Sequence, residues 1–456
     1  MSEGWRTLLG TSRACACGHT HTVPTREVII APGAIEALGE VIAVHTCGPR
    51  GAIVADDTTW QVAGGQALKA MGPSALAPVV LSAPDGRQQL KADEHALAQL
   101  QGKLPDGVDF LVAVGSGVIN DLTKLLASSL GVPSICVATA PSMNGYPSAI
   151  SAIFRGGLKL TEPCTPPIAI VCDTDVLAAA PVEMVQAGLG DLLSKSTSST
   201  DWLMAHLVTG EQFCEVPVRL VERAEAMCRE QAVQIGRREP AAIETLTCAL
   251  IQSGISMAMA GSSSPASGGE HLISHYWDMT AVANGRRENL HGRQVAVATL
   301  ITSALYEALI ERTTKGVDLA EAVSAREPVE RLRARSLDHF VPLLGNEAGQ
   351  GIANQLAQKT MTRDRAQEAL RRLPEAPGEF WAQAGRYLRP ARELKQLYRD
   401  AGVPTRASDL GIPYQQVRDA VSYARHIRSR YTVLDLAADL GLLEQTAEEV
   451  IARAGV

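Results

Sequence analysis

The chain has 456 residues, 46% hydrophobic and 20% charged, with a formal net charge of −7. That length exceeds one ordinary core and sets an expectation of two domains. With no Lys/Arg run and no basic aromatic stripe, a nucleic-acid partner is not expected. The first residues lack the apolar stretch of a signal peptide, and no apolar run reaches about 18 residues. Most of the nine cysteines sit in apolar segments, as buried reduced thiols do, so a cytoplasmic protein without a membrane span is expected.

In chain order, ACACGHTH comes first and holds Cys15, Cys17, His19 and His21. These are metal-ligand residue types, but C-x-C-x-H-x-H is not a usual zinc spacing. The stretch reads as an N-terminal arm with solvent-facing side chains. Short β-rich runs then alternate with helical ones. REVIIAPG is a strand, followed by an amphipathic AIEALGEVIAV; GAIVADD is a strand, followed by a helical TTWQVAGGQALKAMG. APVVLSAPDG is a strand and turn, and QQLKADEHALAQLQGKL is helical. FLVAVGSG is a strand that breaks at two glycines before the helical VINDLTKLLASSLG, and PSICVATAP is the next strand. Residues 151–173 form a short excursion and a return strand. Continuous apolar strands alternating with helices indicate a parallel sheet covered by helices.

After Pro181 the period changes. PVRLVERAEAMCREQAVQIG and ETLTCALIQSGISMAMAG show i, i+3, i+4 apolar spacing. The expected architecture is therefore α/β, with an α/β domain over residues 1–180 and an all-α domain over 181–456. The cleft between two such domains is the default place for a site.

Five stretches carry residues suited to chemistry. In VAVGSGVINDLTK a buried strand runs into Gly115, Ser116 and Gly117 and then a helix. Glycines there let a diphosphate approach the backbone at a helix N-terminus, although an ordinary βα turn reads the same way. In VADDTT, Asp56 and Asp57 end a strand, where an acid can bind ribose hydroxyls; Asp57 or Thr58 could equally cap a helix. ATAPSMNGYPSA is a hydroxyl-rich loop after the next strand. GLGDLLSK puts Asp191 after two glycines, at the expected start of a helix, as a cap or a cleft-facing carboxylate. SGGEHLISHYWDM places His271 and His275 four apart, on one face if helical, and His291 follows in NLHGRQVAVATL. Asp191, His271 and His291 would leave a divalent ion one open position, with His275 beside it to relay a proton or hold substrate.

GSGVINDLTK, TAPSMNGYPS, GLGDLLSK, EHLISHYWDM and LHGRQVAVAT, in this order, resemble the sn-glycerol-1-phosphate dehydrogenase family of the glycerol dehydrogenase, dehydroquinate synthase and iron-alcohol dehydrogenase superfamily. The likeness runs from about residue 27 to RSRYTVLDLA. It implies a Rossmann-like N-terminal domain and an all-α C-terminal domain, as in dehydroquinate synthase, with a metal where they meet. It also implies that Asp56 holds the adenosine ribose and that Gly115, Ser116, Gly117, Val118 and Ile119 wrap the diphosphate of NAD. Thr139, Ala140, Pro141, Ser142 and Ser148 would contact NAD. Asp191, His271 and His291 would bind zinc or nickel, and Asp191, His275 and residue 144 would meet substrate. The family has Asp where this chain has Asn144, an amide that keeps the size, loses the charge and gains a donor. The activity implied is reduction of dihydroxyacetone phosphate to sn-glycerol 1-phosphate with NAD(H), or NADP(H), by a homo-oligomer. The alternatives are a dehydrogenase of this fold for another small polyol or phosphonate-like alcohol, and a catalytically dead relative that binds NAD or metal.

Overall fold

The structure is a computed structural model and describes residues 3–46, 48–84 and 89–456. The predicted turn at Asp85 and Gly86 and the first predicted helical residue, Gln88, lie outside the described residues. Two short strands, β1 (Ser12–Ala14) and β2 (Thr20–Thr22), pair as an antiparallel hairpin. The predicted apolar strands follow as β3 (Glu27–Ala31), β4 (Gly51–Asp56), β5 (Val79–Leu81), β6 (Phe110–Gly115) and β7 (Ser134–Ala138). The excursion is a two-stranded pair, β8 (Ile150–Arg155) and β9 (Leu158–Pro163), and the return strand is β10 (Ala169–Asp173).

Strands β3, β10, β7, β6, β4 and β5, in that spatial order, make one sheet in which neighbouring strands run parallel. The two-residue alternation of side chains splits the apolar runs between its faces. Ile53, Val112, Val114, Val137 and Val171 pack on one side with Ile35, Leu38 and Ile42. Val54, Leu81, Leu111 and Ala113 pack on the other with Leu100, Ile119, Leu122 and Leu126. Full burial of each Leu, Ile or Val contributes about 1.5–3 kcal/mol, so both faces need their covering helices. Two helices differ from expectation for local reasons. The one predicted from residue 88 begins at Glu94, because the Asp93 carboxylate accepts from the Ala96 amide (2.9 Å) and caps it there. The other, after β4, contains a π-helical turn at Trp60–Gly64, where a Cβ on Gly64 would sit 2.3 Å from the Trp60 ring.

From Thr174 onward the described secondary structure is helical, as the change of period predicts. The division into units is less simple than a cut at 180/181. The first compact unit comprises residues 1–155, 159–192 and 215–263; the second comprises 156–158, 193–214 and 264–456. The reason lies in helix Pro240–Ala260, which is apolar almost all round. It packs on β3 and on helix Thr174–Ala179, and helix Glu215–Glu230 lies along it. Pro240–Ala260 and His291–Lys315 are both long and apolar enough to cross a membrane by length and composition alone. Their most apolar windows are 89% and 83% buried, however, which marks them as core helices.

Within the second unit His426 is fully buried among Phe340 and Tyr423, and neither ring nitrogen has a hydrogen-bond partner among the described residues. Burial first, then the charges of Arg425, Arg335 and Lys359, hold it well below its ordinary 6.5. Its folded form therefore stays neutral, while the unfolded chain takes up a proton below about pH 6.5. Stability is thus lost as pH falls through that value, by up to about 1.4 kcal/mol per pH unit. Urea unfolding of wild type and His426→Phe between pH 7 and 5 is expected to show the steeper decline in wild type; parallel slopes would count against it.

Candidate functional site

In the first unit the chain passes from β4 outward to β5 and then back to β6 on the other side of β4. The strand order therefore reverses between β4 and β6, and ligands of open parallel sheets bind at the carboxyl ends beside such a reversal. Those two strands end in Asp56 and Gly115. Ser116 precedes helix Gly117–Leu130, whose first amides have no partner within the helix. A Cβ on Gly115 would stand 2.6 Å from Ile119 Cβ, whereas Gly117 would meet only the Met143 sulfur, at 4.0 Å. The first glycine is needed for strand–helix packing, and the second leaves its backbone open to approach. Asp56, not Asp57 or Thr58, is the helix cap: its Oδ1 accepts from the Thr59 amide at 2.7 Å.

The loop 139–149 is pinned onto this edge. The Thr139 amide donates to Gly115 O (3.2 Å), Ser116 and Ser142 hydroxyls lie 2.5 Å apart, and the Tyr146 hydroxyl donates to Ala140 O (2.6 Å). Ser148 is buried beneath the loop, where Lys124 Nζ donates to its Oγ (3.1 Å), to Gly145 O (3.0 Å) and to Ile150 O (2.7 Å). Asp121, 3.2 Å from the same ammonium, balances its charge. Ser148 thus holds the loop's shape.

Asp191 does not open a helix, as the two preceding glycines suggest. It lies near the end of helix Val182–Leu193, 2% exposed. The Asn144 main-chain N–H donates to Asp191 Oδ2 (3.1 Å), and the Asn144 amide donates to Asp191 Oδ1 (3.4 Å) and to Ser253 Oγ (3.3 Å). Glycines allow this approach. A Cβ on Gly188 would fall 1.9 Å from Pro141 O, and one on Gly254 would fall 2.3 Å from Asn144 O. In the first unit, then, Asn144 orients the Asp191 carboxylate.

The second unit brings three imidazoles together. His271 and His275 share helix Gly269–Ala283, and His291 opens helix His291–Lys315. Ring centroids are 5.1 Å apart for His271–His291, 5.4 Å for His275–His291 and 6.2 Å for His271–His275. Glu270 Oε1 lies 2.8 Å from His271 Nδ1; a carboxylate accepts, so Nδ1 carries the proton and Nε2 the lone pair. Ser274 donates its one hydroxyl hydrogen to Gln294 Oε1 (3.1 Å), so it accepts from His291 Nδ1 (3.2 Å), and Nε2 of His291 is again left with the lone pair.

Glu270 is itself fully buried. Burial pushes its carboxyl up, but the His271 bond and charge and the Gly268 N–H (2.7 Å) outweigh that and hold it below the ordinary range. Asp201, which accepts from the Gly269 amide at 2.7 Å, is pushed up to about 7 by burial and by the Glu270 charge. A Cβ on Gly268 would lie 2.4 Å from the Asp201 carboxylate, so the glycine of this motif lets the helix start against a buried acid.

Sequence reasoning passes over Lys124, Ser253, Ser274 and Asp201, and notes Glu270 beside the histidines without giving it a role. Glu270 and Ser274 had a signal: they are within three residues of a candidate ligand on one helix, where supporting groups for imidazole are commonly found. Lys124 had one too: Asp121 stands three residues before it on the same helix, the spacing of an ion pair.

A family model described as iron-containing alcohol dehydrogenase matches residues 29–181. The glycerol-1-phosphate dehydrogenase (NAD(P)+) of Halalkalibacterium halodurans is 40% identical over 298 residues, covering 64% of this chain and 74% of that one. The enzyme of the same name from Bacillus licheniformis is 31% identical over 435 residues, covering 95% and 94%. The chain belongs to the glycerol-1-phosphate dehydrogenase family. As a glycerol-1-phosphate dehydrogenase family member it shares its fold with glycerol dehydrogenase from Schizosaccharomyces pombe, with a TM-score of 0.59, 16% identity, and coverage of 94% of this chain and 92% of that one. The motif resemblance read from the sequence holds.

Proposed function

We propose that this protein reduces dihydroxyacetone phosphate to sn-glycerol 1-phosphate with NADH or NADPH, and that Asp191, His271 and His291 hold a divalent ion, zinc or nickel. The observation that carries the metal reading is the tautomer of two histidines, whose Nδ1 bonds leave the Nε2 lone pair as the ligand atom. Glu270 and Ser274 spend the Nδ1 protons of His271 and His291, the arrangement a metal-binding histidine needs. One carboxylate and two imidazoles suit a borderline divalent cation and leave a position open. When bound, the metal supplies a Lewis acid for the substrate carbonyl oxygen and the nicotinamide supplies a hydride.

The chain's own residues do the rest. Asn144 fixes the direction of the Asp191 carboxylate and so confines its lone pairs. His275, beside His291, is assigned the proton that the product oxygen takes up. The amides opening helix Gly117–Leu130 bind the cofactor diphosphate, and Asp56 binds the adenosine ribose through the oxygen not used as a cap. The test is turnover of metal-loaded protein with NADH and NADPH against phosphorylated and unphosphorylated small ketones. Dihydroxyacetone phosphate should be preferred, and activity on other ketones alone would overturn the substrate.

Because a carboxylate at Asp56 repels a 2′-phosphate, NADH should be the better cofactor by kcat/KM. Asp56→Ala should narrow that gap and cost about 1 kcal/mol in stability from the lost cap. A wild type that prefers NADPH severalfold would remove the ribose role.

A further inference from the structure

The N-terminal hairpin has little to hold it. All three residues of β1 are exposed, and β2 buries only its middle residue, His21. Two three-residue strands are marginal without a staple. The sequence reading of a solvent-facing arm fails at this point: His19 is exposed, but Cys15 and Cys17 are half-buried and His21 is 6% exposed. The connection is tight. The Cys15 amide donates to His19 O (2.9 Å) and the Gly18 amide to Cys15 O (3.0 Å), with Gly18 at a φ of 86°.

His21 Nδ1 lies 2.6 Å from Met259 O. A carbonyl only accepts, so Nδ1 carries the proton and Nε2 presents its lone pair, 3.5 Å from Cys17 Sγ. Cys214 is buried and directly precedes Glu215, where the chain re-enters the first unit as helix Glu215–Glu230. Ligand atoms of Cys15, Cys17, His21 and Cys214 all lie within 4.8 Å of one another, and the three cysteines are thiols. A tetrahedral zinc site with Zn–S near 2.3 Å has donor–donor edges of roughly 3.8 Å, so these four are about an ångström from closure.

We propose that Cys15, Cys17, His21 and Cys214 bind a structural zinc ion that staples the hairpin to the start of helix Glu215–Glu230. It shares no residue with the proposed catalytic set. Three sulfurs and one imidazole favour zinc over harder ions. Four protein donors leave no open position, so the role is structural. The Met259 carbonyl plays towards His21 the part Glu270 plays towards His271, fixing the tautomer from behind.

The experiment uses the full chain carrying His271→Ala and His291→Ala, which removes the other proposed ligands. Metal analysis after growth with zinc should find close to one zinc per chain. Cobalt replacement should give tetrahedral visible bands and a near-ultraviolet thiolate-to-cobalt charge-transfer band, which an Asp/His/His site cannot produce. Cys17→Ser or Cys214→Ser added to that chain should each remove the band and the zinc, and hydrogen exchange should rise over residues 12–22 but not over helix Gly117–Leu130. A folded double variant with no zinc and no charge-transfer band overturns the proposal, and this holds even if the cysteine variants do not fold. Cysteine variants that keep the full band overturn it as well.

Discussion

His271→Ala and His291→Ala are each expected to strip one equivalent of metal and to lower turnover by about 10³-fold or more, roughly 4 kcal/mol of transition-state stabilisation. Each removes a donor whose lone pair the structure has already directed, through Glu270 for one and Ser274 for the other. NADH binding should survive both, because Gly115, Ser116 and Gly117 belong to the first unit. His275→Ala makes the contrast. It should keep the metal and lose about 10²–10⁴ in rate, as loss of a proton donor does. Metal analysis, NADH fluorescence titration and steady-state kinetics on the three variants give the answer together. Full metal content in both the 271 and 291 variants would remove them from the ligand set.

The second large effect belongs to Asn144. Asn144→Ala keeps the main-chain bond to Asp191 Oδ2 but loses the amide donor to Oδ1, and activity should fall about 10–100-fold. Asn144→Asp does something different. It sets a carboxylate where a donor stood 3.4 Å from Asp191 Oδ1, so two like charges face each other in a buried place. In metal-free protein this should cost about 1–3 kcal/mol, read as a lower thermal midpoint. A bound cation offsets the repulsion, so metal loading should recover most of the loss in Asn144→Asp and little of it in Asn144→Ala. If both variants melt alike with and without metal, Asp191 is not a ligand. Under this proposal position 144 would act on substrate through Asp191, whereas the family resemblance implies a direct contact.

The sheet was legible because its signal is local and redundant. Runs such as AIVA and FLVAVG are apolar at every position and are bounded by turn residues, as strands buried on both faces are. The histidine cluster was legible in part, since spacing of four on a helix puts His271 and His275 on one face. What failed depends on contacts distant in sequence. GLGD reads as the start of a helix, yet Gly188 lies inside one at a cost of about 1 kcal/mol relative to alanine, because Pro141 O needs the space. The apolar surface of Pro240–Ala260 announces burial but not in which unit. ACACGHTH reads as a solvent-facing arm because the fourth member of its cluster, Cys214, stands about 200 residues away.

The order of strands also sets a timetable for synthesis. β3 is an edge strand whose one neighbour is β10, in register from Glu27 against Ala169. A growing chain exposes the β3 backbone for about 140 residues before its partner exists, roughly 7–30 s at ordinary ribosomal speeds. The Met259 carbonyl that receives His21 emerges later still. Until then the nascent N-terminal segment presents unpaired β3 amides and three cysteine or histidine ligand groups with no fixed geometry. That interval is when a chaperone has most to protect, and a truncated chain ending before β10 would carry the same exposed edge permanently.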